Sequence, residues 1–168
     1  MAVGALRRLI KTSSGQAKQS LKWFNQMIRG QLPAKQVQHP MIGMIHNFVY
    51  DAKHKDKLPV WDAFPISIPI GFYPDGWLGM NLHYLPLRQR VELLESLDKV
   101  SRIRNKTRRF AVSYNVLQGL SRTKLYEPTL HRYLNAHIRT KYKVIDLMED
   151  YSNIIHLPPA RWRGPRPY

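Results

Sequence analysis

Cysteine is absent from these 168 residues. Its absence excludes disulfides, cysteine-ligated zinc and thiol nucleophiles together. Acidic side chains are scarce: 11 Asp and Glu stand against 27 Lys and Arg, a formal charge of +16. No apolar run is long enough to be read as a bilayer span. The opening MAVGALRRLI lacks the sustained apolar stretch of a secretory signal. No glycine-rich phosphate cradle and no serine in a nucleophile elbow can be found, and DGWLG (75–79) reads as a hairpin turn.

What remains is a chain that can fold and that carries strong positive charge. Hydrophobic residues make up 43% of it, enough for a core, and the pI near 10.4 points to a polyanionic partner. The charge is unevenly spread. Residues 1–40 hold seven bases and no acid, residues 41–100 six bases and seven acids, and residues 101–168 fourteen bases and four acids. Net charges of +7, −1 and +10 describe a near-neutral body between cationic flanks, the layout of a folded module with gripping arms.

The first flank, 1–40, reads as a basic N-terminal arm with an amphipathic helix. Ser13 or Ser14 is placed to cap a helix running to Arg29. Leu21, Phe24, Met27 and Ile28 recur at helical spacing beside Trp23, and this stripe is expected to dock on a partner. Gly30 to Pro40 reads as an extended linker.

Residues 41–100 read as a β-rich core with a packed helix. HNFVY (46–50), FPISIPI (64–70) and WLGMNLHYL (77–85) are strand candidates, and YPDG (73–76) is a tight turn joining the last two. Pro65 and Pro69 cannot donate to a ladder, so their strand is expected at an edge or bulged. Three strands suffice for a small antiparallel, barrel-like sheet. Leu87, Val91, Leu94, Leu97 and Val100 make one helical stripe after Pro86.

Residues 101–157 read as a basic helical region. A helix is expected over 109–120, with Ala111, Tyr114 and Leu117 inward, and another over 127–142 on Leu130, Leu134 and Ile138. VIDLMED (144–150) fits either type of element. Residues 158–168 read as an extended Pro/Arg-rich tail.

A search for chemistry returns little. His131 and His137 are six apart, not the one-face spacing of a helical zinc pair, and His39, His46 and His54 fall in separate elements. No metal site and no cofactor are therefore expected. Asp51-Ala52-Lys53 matches the end of a restriction-type nuclease motif, without the upstream element such nucleases need. The simpler reading is that Asp51 and Asp56 balance Lys53, Lys55 and Lys57, and that Asp62 orders the turn before Phe64. The chain is read as non-enzymatic.

The candidate contacts to nucleic acid or an acidic partner are Arg102, Arg104, Lys106, Arg108 and Arg109, then Arg139, Lys141 and Lys143, then Arg161, Arg163 and Arg166. Such groups neutralise phosphates without reading sequence. Trp162 and Tyr168 are candidates to stack on bases. Acidic surfaces of neighbouring proteins fit the same cations equally well.

The stretch 43–97 carries FVYDAKHKDKLPVWDAFPISIPI, then DGWLGMNLHYLP, then a helix opening on LRQR. It resembles a group of small virion-associated structural proteins of contractile-tailed bacteriophages. KWFNQMIRG upstream and YEPTLHRYLNAHIRTKY (126–142) downstream are similar to the same group, so the resemblance covers roughly 20–145. It implies a structural component of a phage particle (head, neck, tail or baseplate), with other virion proteins as partners in a multi-copy ring or symmetric assembly. Packaged double-stranded DNA is the further partner class, and no membrane is involved. The resemblance carries no catalytic residues, and WRGPRPY departs from its pattern. The combined expectation is an α+β protein of the virion, assembled in the host cytoplasm. The alternatives are a nucleic-acid-binding module, DNA-end-binding or ribosome-associated, and a small nuclease.

Overall fold

The computed structural model describes residues 13–58, 61–157 and 163–164. A β-hairpin organises the body. Strand β4 (Ile66–Tyr73) and strand β5 (Gly76–Asn81) meet at the Tyr73–Gly76 turn, as YPDG demands. Three shorter strands precede them: β1 (Gln36–Val37), β2 (Ile45–Asn47) and β3 (Trp61–Asp62). Three follow: β6 (Leu130–Leu134), β7 (Tyr142–Ile145) and β8 (Arg163–Gly164). Six of them form one antiparallel sheet in the order β1-β7-β2-β4-β5-β6, while β3 pairs with β8. The fold is α+β, but the sheet is open. The expectation of a barrel-like sheet is corrected: β1 and β6 stay at opposite ends of the order. Closure would require those two strands to bond to each other.

The FPISIPI strand lies between β2 and β5, yet it carries the bulge that proline foretold, with the register shifting between Pro69 and Gly71. β2 pairs only with Ile66 and Ser67, so Pro69 lies past the last β2 pair. The Ile70 carbonyl beyond it accepts from Gln118 Nε2 at 2.6 Å.

Four helices are described: α1 (Ser13–Ile28), α2 (Leu87–Ser101), α3 (Lys106–Ser121) and α4 (Leu147–His156). The α1 stripe is not waiting for a partner. Trp23, Phe24 and Met27 are buried, with Leu21 and Ile28 packed against the same core. This corrects the docking expectation: α1 packs on α4, which comes from the far end of the chain. The linker is held as well, because β1 pairs with β7. The helix expected over 127–142 is instead β6, a short 3₁₀ turn and β7. Leu130 and Leu134 fit a helical spacing of four, but they also fit strand alternation. Pairing of Tyr133 with buried Trp77 decides for the strand. In α3 the inward residues are Ser113 and Leu117, whereas Ala111 and Tyr114 face water.

Two cores result. One lies between the sheet and the helices and includes Phe24, Ile68, Met80, Leu94, Leu117 and Ile154. The other is aromatic: Phe48, Tyr50, Trp77, Tyr133 and Tyr142 meet mostly edge-on, and Trp77 Nε1 donates to Tyr142 Oη at 3.1 Å. Burial raises the pKa of the Tyr133 phenol well above its usual range. β5 and β6 approach so closely that a Cβ on Gly76 would lie 2.0 Å from the Tyr133 carbonyl oxygen. Gly76→Ala is therefore expected to cost about 2 kcal/mol of stability, read as a lower urea midpoint with unchanged slope.

Candidate nucleic-acid interface

The cations of 102–109 lie where α2 hands over to α3. Arg102 closes α2 and is tied back to Asp98, Nη2 to Oδ2 at 2.8 Å. Arg104 is exposed in the link. Asn105 caps α3, its side chain accepting from the Arg108 N–H at 2.9 Å. Lys106, Arg108 and Arg109 then occupy a first turn that contains no acid. The helix dipole adds to their charge there, a combination suited to phosphate oxygens. No ion pair joins Arg104, Lys106, Arg108 or Arg109 to a described carboxylate.

Beside this turn runs a groove of about 1010 Å³. Lys106 and Arg109 stand on its border, Trp23, Met27 and Leu97 line its apolar part, and Phe72 lines it from the hairpin tip. The loop before β2 forms another border. Gly43 there has φ +78°, and a Cβ on it would come within 3.1 Å of Ser113 Cβ, so the loop lies directly on α3. Lys35 adds a cation, and Asp146, Glu149 and Asp150 add carboxylates from the start of α4. Burial raises the Asp150 pKa.

The second predicted group is split by the fold. Arg139 donates to Asp51 Oδ2 at 3.0 Å, and Lys55 reaches Asp51 Oδ1 at 2.7 Å. Those two cations, Lys55 first, hold the Asp51 carboxyl below its usual range. Lys141 is exposed and, with Arg139, lines a second hollow of about 470 Å³. Lys143 turns inward instead. Its Nζ donates to the Met27 carbonyl, and burial lowers its pKa. Lys143 thus serves the end of α1, which corrects its assignment as a partner contact. Pro40 lines both hollows, so the 33–41 segment joins the groove to the Arg139–Lys141 side. Arg161, Trp162, Arg166 and Tyr168 lie outside the described residues, while the backbone of Arg163 pairs with Asp62.

One buried pair has the composition of a catalytic dyad. His83 Nδ1 lies 2.6 Å from Asp62 Oδ2, and Asn81 Nδ2 donates to the same oxygen at 2.8 Å. Their side chains are only 1% and 4% exposed, and the Phe24 ring meets His83 edge-on at 5.3 Å. This geometry fastens β3 to β5 and orders the turn, since Asp62 Oδ1 also accepts from the Phe64 N–H at 3.0 Å. Among the described residues, no three His, Asp or Glu side chains are grouped to hold a metal ion.

Residues 4–165 match the family model described as Phage T4 terminal DNA protecting protein. The chain belongs to this family. The match runs through both cationic flanks as well as the body, so the flanks are part of what defines the family. It agrees with the resemblance of the middle section to proteins of contractile-tailed bacteriophages. No curated protein and no solved structure matches the chain. Sequence reasoning overlooked Lys35, Phe72 and Arg132, each isolated in the sequence and brought to a surface only by the sheet. No described helix is long and apolar enough to cross a membrane.

Proposed function

We propose that this protein binds the ends of double-stranded phage DNA and shields them, as a non-enzymatic component of the virion. The observation that carries the reading is the family match over 4–165. The cation cluster supports it physically. Lys106, Arg108 and Arg109 share one helical turn, the first two exposed and the third half-buried, and together they offer an electrostatic site that is indifferent to base sequence. Sequence indifference suits a protein that must act on whatever sequence a terminus carries. Segments 1–12 and 158–168 add six bases and no acid to the charge available for DNA or neighbouring virion proteins.

The test is protection of a linear duplex from an end-dependent exonuclease, together with affinity as a function of salt. Wild type is expected to slow digestion from the ends. The triple variant Lys106→Ala, Arg108→Ala, Arg109→Ala is expected to bind at least about tenfold more weakly, with a salt slope shallower by about 3. Equal affinity and slope would move the interface elsewhere, and a wild type that gives no protection would defeat the reading.

A further inference from the structure

A duplex terminus differs from the interior in one large respect: its outermost base pair presents an open π face. A side chain that stacks there reads an end as such, whatever its sequence.

Phe72 is placed for this. It is 52% exposed, unusual for so large an apolar ring. It is also rigidly held, because Phe72 pairs with Trp77 and Tyr73 with Gly76 immediately before the turn. It makes no ring contact with another described aromatic residue, and it lines the same groove that Lys106 and Arg109 border. The neighbouring Tyr73 is different: the Arg132 guanidinium covers its ring at 4.0 Å and is itself paired with Asp75.

We propose that Phe72 stacks on the terminal base pair of a duplex end while Lys106 and Arg109 hold the adjoining phosphates. The proposal rests on the end-binding reading above and names what that site recognises. Asp146, Glu149 and Asp150, also in the groove, repel phosphate and keep the backbone on the α3 side.

The test uses the full chain and two DNAs of one sequence. One is a linear duplex with a terminal 2-aminopurine, and the other is closed at both ends by short loops. Wild type is expected to prefer the open duplex by about tenfold and to change the 2-aminopurine fluorescence. Phe72→Ala is expected to abolish both the preference and the fluorescence change while binding the closed duplex as wild type does. Phe72→Trp and Tyr73→Ala are expected to retain the preference. A Phe72→Ala variant that keeps it, or that loses affinity equally for both DNAs, would overturn the stacking proposal with end binding intact. A wild type indifferent to open ends would defeat the end-binding reading itself.

Discussion

Replacing Arg90 with methionine is expected to remove about 4 kcal/mol of unfolding free energy, measured by urea denaturation. Arg90 is 2% exposed and has no carboxylate partner among the described residues. Carbonyls surround it instead. Its Nε donates to Leu82 O at 2.7 Å, and its Nη1 to the carbonyls of Ile154 (3.1 Å), Ile155 (3.3 Å) and Leu157. The last three belong to the end of α4, where helical carbonyls have no intrahelical donor and the dipole is negative. One guanidinium thus closes α4 and ties it to α2 and to the turn after β5. Burial lowers its pKa to about 10, so it stays charged at neutral pH. Methionine fills similar volume but donates to none of these carbonyls, and those of Leu82 and Ile154 keep only the N–H groups of Leu85 (3.2 Å) and Leu157 (3.5 Å). Arg90→Lys keeps the charge but not the fork, and an intermediate loss is expected. A loss under about 1 kcal/mol for the methionine variant would show that water replaces the guanidinium there.

Stability is expected to fall by about 3 kcal/mol as pH drops from neutral to 4, with His46 responsible. His46 is fully buried in the middle of β2, between Ser67 and Val144, and burial lowers its pKa from 6.5 to about 4. Between those values the unfolded chain binds a proton that the folded chain refuses. The stabilisation is therefore complete above about 6.5 and is lost as pH falls through this window to about 4. Protonation also removes the acceptor that Nε2 offers the Met41 N–H at 3.4 Å, which loosens the loop bordering the groove. Asp150, its pKa raised by burial, contributes with the opposite sign. The check is a comparison of thermal unfolding from pH 7 to 4 in wild type and His46→Gln. The variant should be less stable at pH 7 but lose less on acidification, and parallel profiles would remove His46 as the cause.

Much of the local structure was legible because its cause is local. YPDG makes the hairpin turn by its own backbone preferences, and Pro86 followed by an apolar stripe makes α2. Asp62 orders the turn before Phe64 as its side chain chemistry predicts. Pro69 announced a bulge even though the strand is not at an edge, since a missing N–H disrupts the ladder wherever it falls. Other readings failed where two periodicities fitted one segment. Leu130 and Leu134 served a helix or a strand equally, and only the Trp77 ring across the sheet separates them. The inward face of α3 was misjudged because its neighbour is the glycine loop at 43, which accepts Ser113 rather than Tyr114.

The candidate site divides along the same line. Lys106, Arg108 and Arg109 are close in sequence and share one helical turn, so their clustering was visible before any fold was known. Phe72 was not visible as a candidate, because exposure of an aromatic residue depends on how far the neighbouring strand and helices extend over it. The reversal of Lys143 has the same origin: a cation in a basic run is assigned outward until a helix terminus is found beside it.

By itself the sequence determined the charge, its concentration in two flanks around a neutral body, the absence of cysteine chemistry and the central hairpin. Tertiary structure alone decided that α1 is core rather than free arm, that β7 from the last third lies between β1 and β2, and which cations face water. The physical reason is range. Charge count, turn chemistry and capping are set by neighbours along the chain. Burial is set by residues more than a hundred positions away, as when Lys143 meets the carbonyl of Met27.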